Sequence, residues 1–199
     1  DIIATNPPYK NLKAERSQYS TDEEYQKDKD KYKDVAKIVS NNFKYSTDGV
    51  LNLYKLFVEE IIDRYASNDA YISLLIPSSL MSDKTCAKLR THILTEKKLF
   101  SAKVIKEGSG YIDAQQALVA ILLGTKGSTS TVDITKDFCN APEEVAKVDI
   151  SDIINPNTDN SIVALNENEY ATYRKLREFP VVKDLNFIIN LRGELDLTA

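Results

Sequence analysis

Cysteine and histidine are scarce in this 199-residue sequence, which contains two cysteines and one histidine. Cys86 and Cys139 are far apart, and so few residues of these types do not form the closely spaced clusters of a disulfide framework or a zinc site. We therefore expect two reduced, buried thiols, no disulfide and no metal centre.

Long apolar runs are also lacking, and no signal-peptide pattern opens the chain. A helix that spans a bilayer needs about 20 predominantly apolar residues, and a signal peptide has a basic segment followed by an apolar one. The sequence thus predicts a protein that does not enter a membrane. The cytoplasm is its expected location.

An excess of positive charge is missing as well, because the formal net charge is −4. This value excludes a strongly basic nucleic-acid module that acts alone. Any DNA-binding surface must therefore be confined to a small region of this chain or be supplied by other parts of the protein. The length suffices for one good core, or for one core with a small appendage.

What the sequence does contain is an apolar strand that runs into two consecutive prolines near its start. Ile2 and Ile3 predict the end of a buried strand, and Asn6-Pro7-Pro8-Tyr9 follows closely. Proline has no N–H and a fixed φ, so the pair stops the strand and forces a rigid, extended turn. In open α/β sheets ligands bind at the carboxyl ends of strands, and we expect this turn to line a site.

The residue types in this turn suit a planar amine. Asn6 offers an amide oxygen, and Pro7 offers a carbonyl whose direction is held by the two proline rings. Two neighbouring acceptors match the two hydrogens of a flat NH2 group. Tyr9 can lay its ring over a flat substrate, since base–aromatic stacking contributes about 1–3 kcal/mol. The exocyclic amine of adenine and a side-chain amide both fit.

Asn-Pro-Pro-Tyr after an apolar strand resembles the catalytic motif of S-adenosylmethionine-dependent N6-adenine DNA methyltransferases of restriction–modification systems. In that family the Asn side chain and the first Pro carbonyl accept hydrogen bonds from the amine, and the aromatic residue stacks on a flipped-out adenine. The resemblance gives these catalytic roles to Asn6, Pro7 and Tyr9 and places Pro8 against the substrate. Asn52-Leu53-Tyr54 through Phe57 is similar to the helix that follows the motif in this family.

The resemblance also implies what lies outside the sequence. The chain has no initiator Met and opens inside a strand, whereas the family's Gly-rich cofactor loop and the acid after its second strand precede the catalytic motif. We therefore expect the C-terminal part of a catalytic domain, with S-adenosyl-L-methionine as cofactor and its main binding loop elsewhere. Double-stranded DNA is the expected partner. An N-terminal half and a DNA-recognition domain would complete the enzyme, and the sequence leaves open whether a nuclease is fused to them.

Hydrophobic periodicity predicts an alternating order of helices and strands. Thr21 and Glu24 predict a capping box, and Asn166 and Glu169 another. Residues 139–161 read as loops. The predicted helices span 21–43, 50–66, 83–96 and about 167–179, and the predicted strands span 70–76, 100–106, 117–123 and 131–135.

This order indicates an α/β fold, namely the C-terminal half of a Rossmann-like methyltransferase sheet with a terminal antiparallel hairpin and a small α+β extension. We divide the chain into a partial catalytic domain, 1–125, and an extension with a linker towards a DNA-recognition domain, 126–199. The apolar run Tyr71–Ile76 is expected to be covered on both faces. Arg90 and His92 are expected at the surface, because amine methylation requires no imidazole base.

Further site residues follow from the resemblance. The strand after the catalytic turn ends in Pro77, Ser78 and Ser79, which in the family would line the adenine pocket. Tyr111 occupies the position of an aromatic residue that faces the flipped base edge-on. Arg192, in the Leu-Arg-Gly entry to a recognition domain, would contact DNA phosphate.

Three alternatives remain open from the sequence. Some amino-methyltransferases are circularly permuted, and their cofactor loop would correspond to Gly108-Ser109-Gly110. Enzymes that methylate a glutamine amide in proteins share the Asn-Pro-Pro-Tyr pattern. A split or non-catalytic subunit that binds only DNA or a partner is the third alternative.

Overall fold

A single mixed sheet forms the centre of the computed structural model, which describes residues 1–110 and 115–180. Its six strands lie in the order β1-β2-β4-β3-β5-β6. The strands are β1 Ile2–Thr5, β2 Tyr71–Pro77, β3 Lys98–Ile105, β4 Leu118–Gly124, β5 Thr131–Thr135 and β6 Val145–Asp149.

Helices precede or follow most of these strands, as an α/β chain requires. Helix α2 continues directly into a π-helical turn, Ile61–Tyr65, and a 3₁₀ turn, Lys84–Cys86, leads into α4. The α-helices are α1 Asp22–Asn42, α2 Leu53–Glu60, α3 Ser79–Ser82, α4 Ala87–Glu96, α5 Ile150–Ile153 and α6 Glu167–Leu176.

Strand pairing places the ends of β1 and β2 side by side. The two strands are parallel, with Ile2 opposite Tyr71 and Thr5 opposite Leu74. Strand β4 is antiparallel to both β2 and β3, so the predicted antiparallel pairing of the last two methyltransferase strands is confirmed. Strands β5 and β6 continue the same sheet beyond β3. The predicted division of the chain into two parts at residue 125 stays a prediction.

One buried apolar cluster joins helices α2 and α4 to the sheet. Tyr54 and Val58 of α2, Ile62 of the π-helical turn, and Leu89 and Ile93 of α4 belong to it, together with the inward side chains of β2, β3 and β4. The apolar stripes that predicted the two helices are therefore their core-facing sides.

The expectation of fully buried strands was wrong for β1 and in part for β2. Strand β1 pairs only with β2 among the described strands, and Ile2 is 82% exposed. In β2, Tyr71 and Ser73 are exposed and Leu75 is half-buried, while Ile72, Leu74, Ile76 and Pro77 are buried. The side-chain alternation of a strand sends every second residue to the other face of the sheet, and on that face Tyr71 and Ser73 remain exposed.

A strand and a short helix lie in residues 139–161, where only loops were predicted. Strand β6 reads Val-Ala-Lys-Val-Asp, with Ala146 and Val148 buried and the other three residues exposed. This alternation of period two was the available signal. Neighbouring prolines and asparagines concealed it.

Helix α1 is solvated along its whole length, as its mixed charges predicted, and it buries no residue. Its N-cap is Thr21, whose hydroxyl accepts from the Glu24 N–H at 3.2 Å. The second predicted box is complete, because Asn166 and Glu169 each bond the other's backbone. In the described ranges no helix combines the length and the apolar composition that crossing a bilayer requires.

Arg90 and His92 are buried, which contradicts their predicted surface position. Arg90, 1% exposed, donates to four backbone carbonyls, those of Leu80, Asp83, Asp159 and Asn160, at 2.6–3.2 Å. His92 bonds Asp63 through Nε2 at 2.9 Å and stacks on Tyr45 with 3.9 Å between ring centroids. Burial of Arg90 costs little because its donors have partners, and His92 has a partner at Nε2, whereas its buried Nδ1 makes no hydrogen bond with a described residue.

Replacing Arg90 by Met should lower the free energy of unfolding by about 3–5 kcal/mol, because four carbonyls would lose a charged donor in a buried place. The matched control is Arg64→Met, since Arg64 is half exposed and pairs with Glu60 at 2.7 Å. Its loss should be less than about 1 kcal/mol. Urea denaturation measures both, and equal losses would contradict a clamping role for Arg90.

Candidate active site

The Asn-Pro-Pro-Tyr turn lies at the carboxyl end of β1, next to the turn that ends β2. Thr5, the last residue of β1, pairs with Leu74 of β2. Asn6 and Pro8 are exposed after that point, whereas Pro7 is buried. The Asn6 side chain is therefore accessible to a ligand, on a backbone held by a buried proline.

Tyr9 folds back towards the sheet edge. Its hydroxyl donates to the Leu75 carbonyl at 2.9 Å, and it also contacts the side-chain oxygen of Asn6. Burial raises the pKa of the Tyr9 phenol, so the group keeps its proton at neutral pH. One O–H proton serves one acceptor at a time. Tyr9 thus has two alternative partners, and one of them is the predicted amine-binding atom.

The exit from this turn is fixed by backbone bonds to the start of α2. The Lys10 carbonyl accepts from the Leu53 N–H at 2.9 Å, and the Leu12 N–H donates to the Leu51 carbonyl at 2.8 Å. These bonds are short and reciprocal, like those of a small β-bridge. They hold the residues after Tyr9 against the start of α2, which keeps Tyr9 close to β2.

Asn52 adds a side-chain bond at the same place. It is the N-cap of α2, where its Oδ1 accepts from the Tyr54 N–H at 3.1 Å, and its Nδ2 donates to Asn11 Oδ1 at 2.8 Å. One carboxamide therefore caps the helix and ties it to the turn. This gives a structural reason for the Asn-Leu-Tyr sequence that opens the helix.

The second turn follows β2 and begins with the buried Pro77. The Ser78 N–H donates to the Ala117 carbonyl at 3.0 Å, which holds the turn to the residue before β4. The Ser79 hydroxyl lies 2.9 Å from the Tyr54 hydroxyl. Ser78 and Ser79 are each partly exposed, so the turn is anchored through its backbone and through one hydroxyl.

Tyr54 connects the two turns, whereas the sequence predicted it as part of a core helix that resembles the one following the family's catalytic motif. Its ring meets the Tyr9 ring edge-on, with 6.5 Å between centroids and an 89° angle between planes. Its hydroxyl also lies 3.3 Å from Cys86 Sγ. Burial raises the pKa of Tyr54 well above the usual phenol value, so it stays neutral. Its position one residue into a capped helix gave no hint of these contacts.

The predicted site residues of both turns therefore lie at one edge of the sheet. Tyr9 reaches Leu75 of β2, and Tyr54 reaches Ser79. Tyr111 and Arg192 lie outside the described residues. The functional roles predicted for the residues of the two turns, and for Tyr111 and Arg192, stay predictions. The predicted site residues of the two turns are Asn6, Pro7, Pro8, Tyr9, Pro77, Ser78 and Ser79.

The rival cofactor loop is not supported by the strand order. Gly108 and Gly110 adopt positive φ in the connection between β3 and β4, and these two strands are antiparallel. A dinucleotide-type phosphate or cofactor loop joins a strand to the helix of a parallel crossover. Gly108-Ser109-Gly110 therefore lies in a different structural context, and the permuted interpretation was wrong.

A separate apolar groove of about 680 Å³ lies between β1 and α2. Its lining includes Ile3 and Thr5 of β1, together with Leu53, Phe57 and Tyr65. The walls are aliphatic and aromatic, which suits the flat or apolar part of a ligand. Glu60 supplies a carboxylate in the lining.

The fold is that of solved restriction–modification proteins. One is the modification subunit of a putative type I restriction enzyme from Vibrio vulnificus YJ016, with a TM-score of 0.53 and 14% identity over 84% of this chain and 37% of that one. A nuclease-deletion mutant of the Type ISP enzyme LlaGI gives 0.52 and 12%, over 86% and 18%. The type IIG restriction endonuclease BpuSI gives 0.50 and 13%, over 89% and 21%.

At these identities the likeness concerns the fold, and it confirms the Rossmann-like methyltransferase sheet. The chain spans between 18% and 37% of the length of these three solved chains. No curated protein matches the sequence at a significant level. Residues 1–107 match the family model described as Eco57I restriction-modification methylase. Because this match covers more than half of the 199 residues, the chain belongs to the Eco57I restriction-modification methylase family.

Proposed function

We propose that this chain carries the catalytic turn of a cytoplasmic DNA adenine N6-methyltransferase. The observation that carries the proposal is the exposed Asn6 carboxamide at the carboxyl end of β1, with Tyr9 in contact with it and with β2. Membership of a restriction-modification methylase family supports methyl transfer. DNA as the substrate is supported by the LlaGI neighbour, whose structure is of a complex with a DNA substrate mimic.

The proposed substrate contacts follow from donor and acceptor chemistry. The adenine amine has two hydrogens, and Asn6 Oδ1 and the Pro7 carbonyl are acceptors on adjacent residues. In the free base the amine lone pair is delocalised into the ring. Two hydrogen bonds from the amine favour a more pyramidal and more nucleophilic nitrogen. Orientation of the bound amine would supply much of the rate.

Binding of the amine need not leave a polar group unpaired. The Tyr9 hydroxyl contacts Asn6 but also has the Leu75 carbonyl as an acceptor at 2.9 Å. When an amine hydrogen takes the Asn6 oxygen, the Tyr9 proton keeps the Leu75 partner. The exchange therefore avoids the desolvation penalty of a buried, unsatisfied hydroxyl.

S-adenosyl-L-methionine would supply an electrophilic methyl group on a sulfonium sulfur. The described residues fit only part of this molecule. The groove beside β1 has aliphatic and aromatic walls and one carboxylate, Glu60, which suits a flat ring better than a zwitterionic amino-acid end. We propose that the main cofactor contacts are made by regions of the complete enzyme outside this chain.

We propose that most DNA-binding contacts are also made by regions outside this chain. The net charge of −4 provides no general attraction for phosphate. A recognition domain and an N-terminal half in the complete enzyme would supply it.

Asn6→Ala should abolish methylation in the complete enzyme, because the amine loses an acceptor that no neighbouring side chain replaces. Asn41→Ala is the matched control, since Asn41 is also exposed, near the end of α1. Tritium transfer from labelled S-adenosylmethionine to duplex DNA measures the rate, and mass spectrometry of the nucleosides identifies N6-methyladenine. Full activity of Asn6→Ala would refute its role, and label found on a protein amide would identify the other substrate class.

The Tyr9 ring and hydroxyl should have separable effects. Tyr9→Ala removes base stacking of about 1–3 kcal/mol, so DNA binding or turnover should fall about 5- to 150-fold. Tyr9→Phe keeps the ring and removes only the proton shared between Asn6 and Leu75, and its loss should be much smaller. Steady-state kinetics on duplex DNA separates the two variants. Equal losses would show that the hydroxyl, not stacking, is the important part.

A further inference from the structure

The Tyr54 side chain contacts both turns of the candidate site. Its ring edge packs on Tyr9, and its hydroxyl lies 2.9 Å from Ser79 Oγ. The residue is 3% exposed, whereas Tyr9 and Ser79 are each partly exposed.

The backbone of Tyr54 is fixed independently of its side chain. Its N–H donates to Asn52 Oδ1, and the same Asn52 side chain is bonded to Asn11, which follows the catalytic turn. Cys86 Sγ, 3.3 Å from the hydroxyl, provides a third contact. The phenol is therefore a rigid spacer of fixed length between Tyr9 and Ser79.

We infer that Tyr54 is a positioning residue, which sets the Ser79 hydroxyl relative to the Tyr9 ring through the short bridge of its own phenol. This inference rests on the proposed function, since it concerns the pocket between the two turns. Small displacements of groups that orient a substrate lower catalytic rates strongly. A buried, rotamer-locked support is the usual way to prevent them.

The test uses the complete enzyme with Tyr54→Phe, Ser79→Ala and the double variant. Tyr54→Phe should lower the single-turnover rate about three- to tenfold, the range that one lost hydrogen bond spans, with KM values for DNA and cofactor changed less than twofold. The double variant should be no slower than the slower single variant, because both changes remove one interaction.

Tyr170→Phe is the matched control. Tyr170 is also 3% exposed, and its hydroxyl donates to the Val163 carbonyl instead. It should leave the single-turnover rate within twofold of wild type. Three results would each overturn the inference. They are a Tyr54→Phe rate within twofold of wild type, additive losses in the double variant, and an equal loss of rate in Tyr170→Phe.

A crystal structure of the Tyr54→Phe variant decides the same point without turnover. We expect Ser79 Oγ to leave its wild-type rotamer once the phenol no longer holds it. An unchanged Ser79 rotamer would overturn the positioning role. Absence of adenine methylation by the wild-type enzyme would instead refute the proposed function, and the structural comparison would still decide the role of Tyr54.

Discussion

The parallel pairing of β1 with β2 is the constraint on which the candidate site depends. Parallel neighbours end at the same edge of a sheet, so the turn after Thr5 and the turn after Pro77 must lie together. An antiparallel pair would send the two turns to opposite edges. Proline then makes each end abrupt, because it cannot continue the ladder. The Tyr9–Leu75 bond is possible only because Leu75 follows, by one residue, the β2 partner of the last β1 residue.

Two buried charges, Arg90 and Glu59, hold loops to the helices, and mostly backbone groups satisfy them. Arg90 joins the Leu80 and Asp83 carbonyls near the second turn to the Asp159 and Asn160 carbonyls, which belong to two residues of positive φ. Glu59 accepts from the backbone of Lys44 and Tyr45 and from the Ser46 hydroxyl at 2.5–3.0 Å. A lone buried charge would be strongly unfavourable, but each of these has several hydrogen-bond partners. The second turn is consequently fixed from the side of residues 155–160 as well as from β4.

Local signals in the sequence predicted the parts of the fold that depend on local physics. Consecutive prolines, the Asn166 capping box and the apolar stripes of α2 and α4 each act within a few residues, and the structure contains the elements they indicated. Arg90 could not be placed in the same way, since its partners Asp159 and Asn160 are about 70 residues away in sequence. The exposure of Ile2 follows from strand order, which a single apolar dipeptide does not encode. Strand β6 is different, because its alternation was present in the sequence and was outweighed by nearby loop-forming residues.

The site residues divide in the same way, into those that a local sequence pattern reveals and those that depend on contacts between distant residues. Asn6 and Tyr9 were recognisable because their chemistry is carried by four consecutive residues, whereas Tyr54 gains its contacts only when α2 packs on the sheet. That packing also explains how the site can be preformed without being closed. Tyr54 and the Asn52–Asn11 bond support Tyr9 on the side of α2. On the other side, the side-chain oxygen of the exposed Asn6 contacts the Tyr9 hydroxyl, which has the Leu75 carbonyl as a second acceptor. The rigid elements thus lie on the protein side of Tyr9, and the one contact that must be exchanged lies on the ligand side.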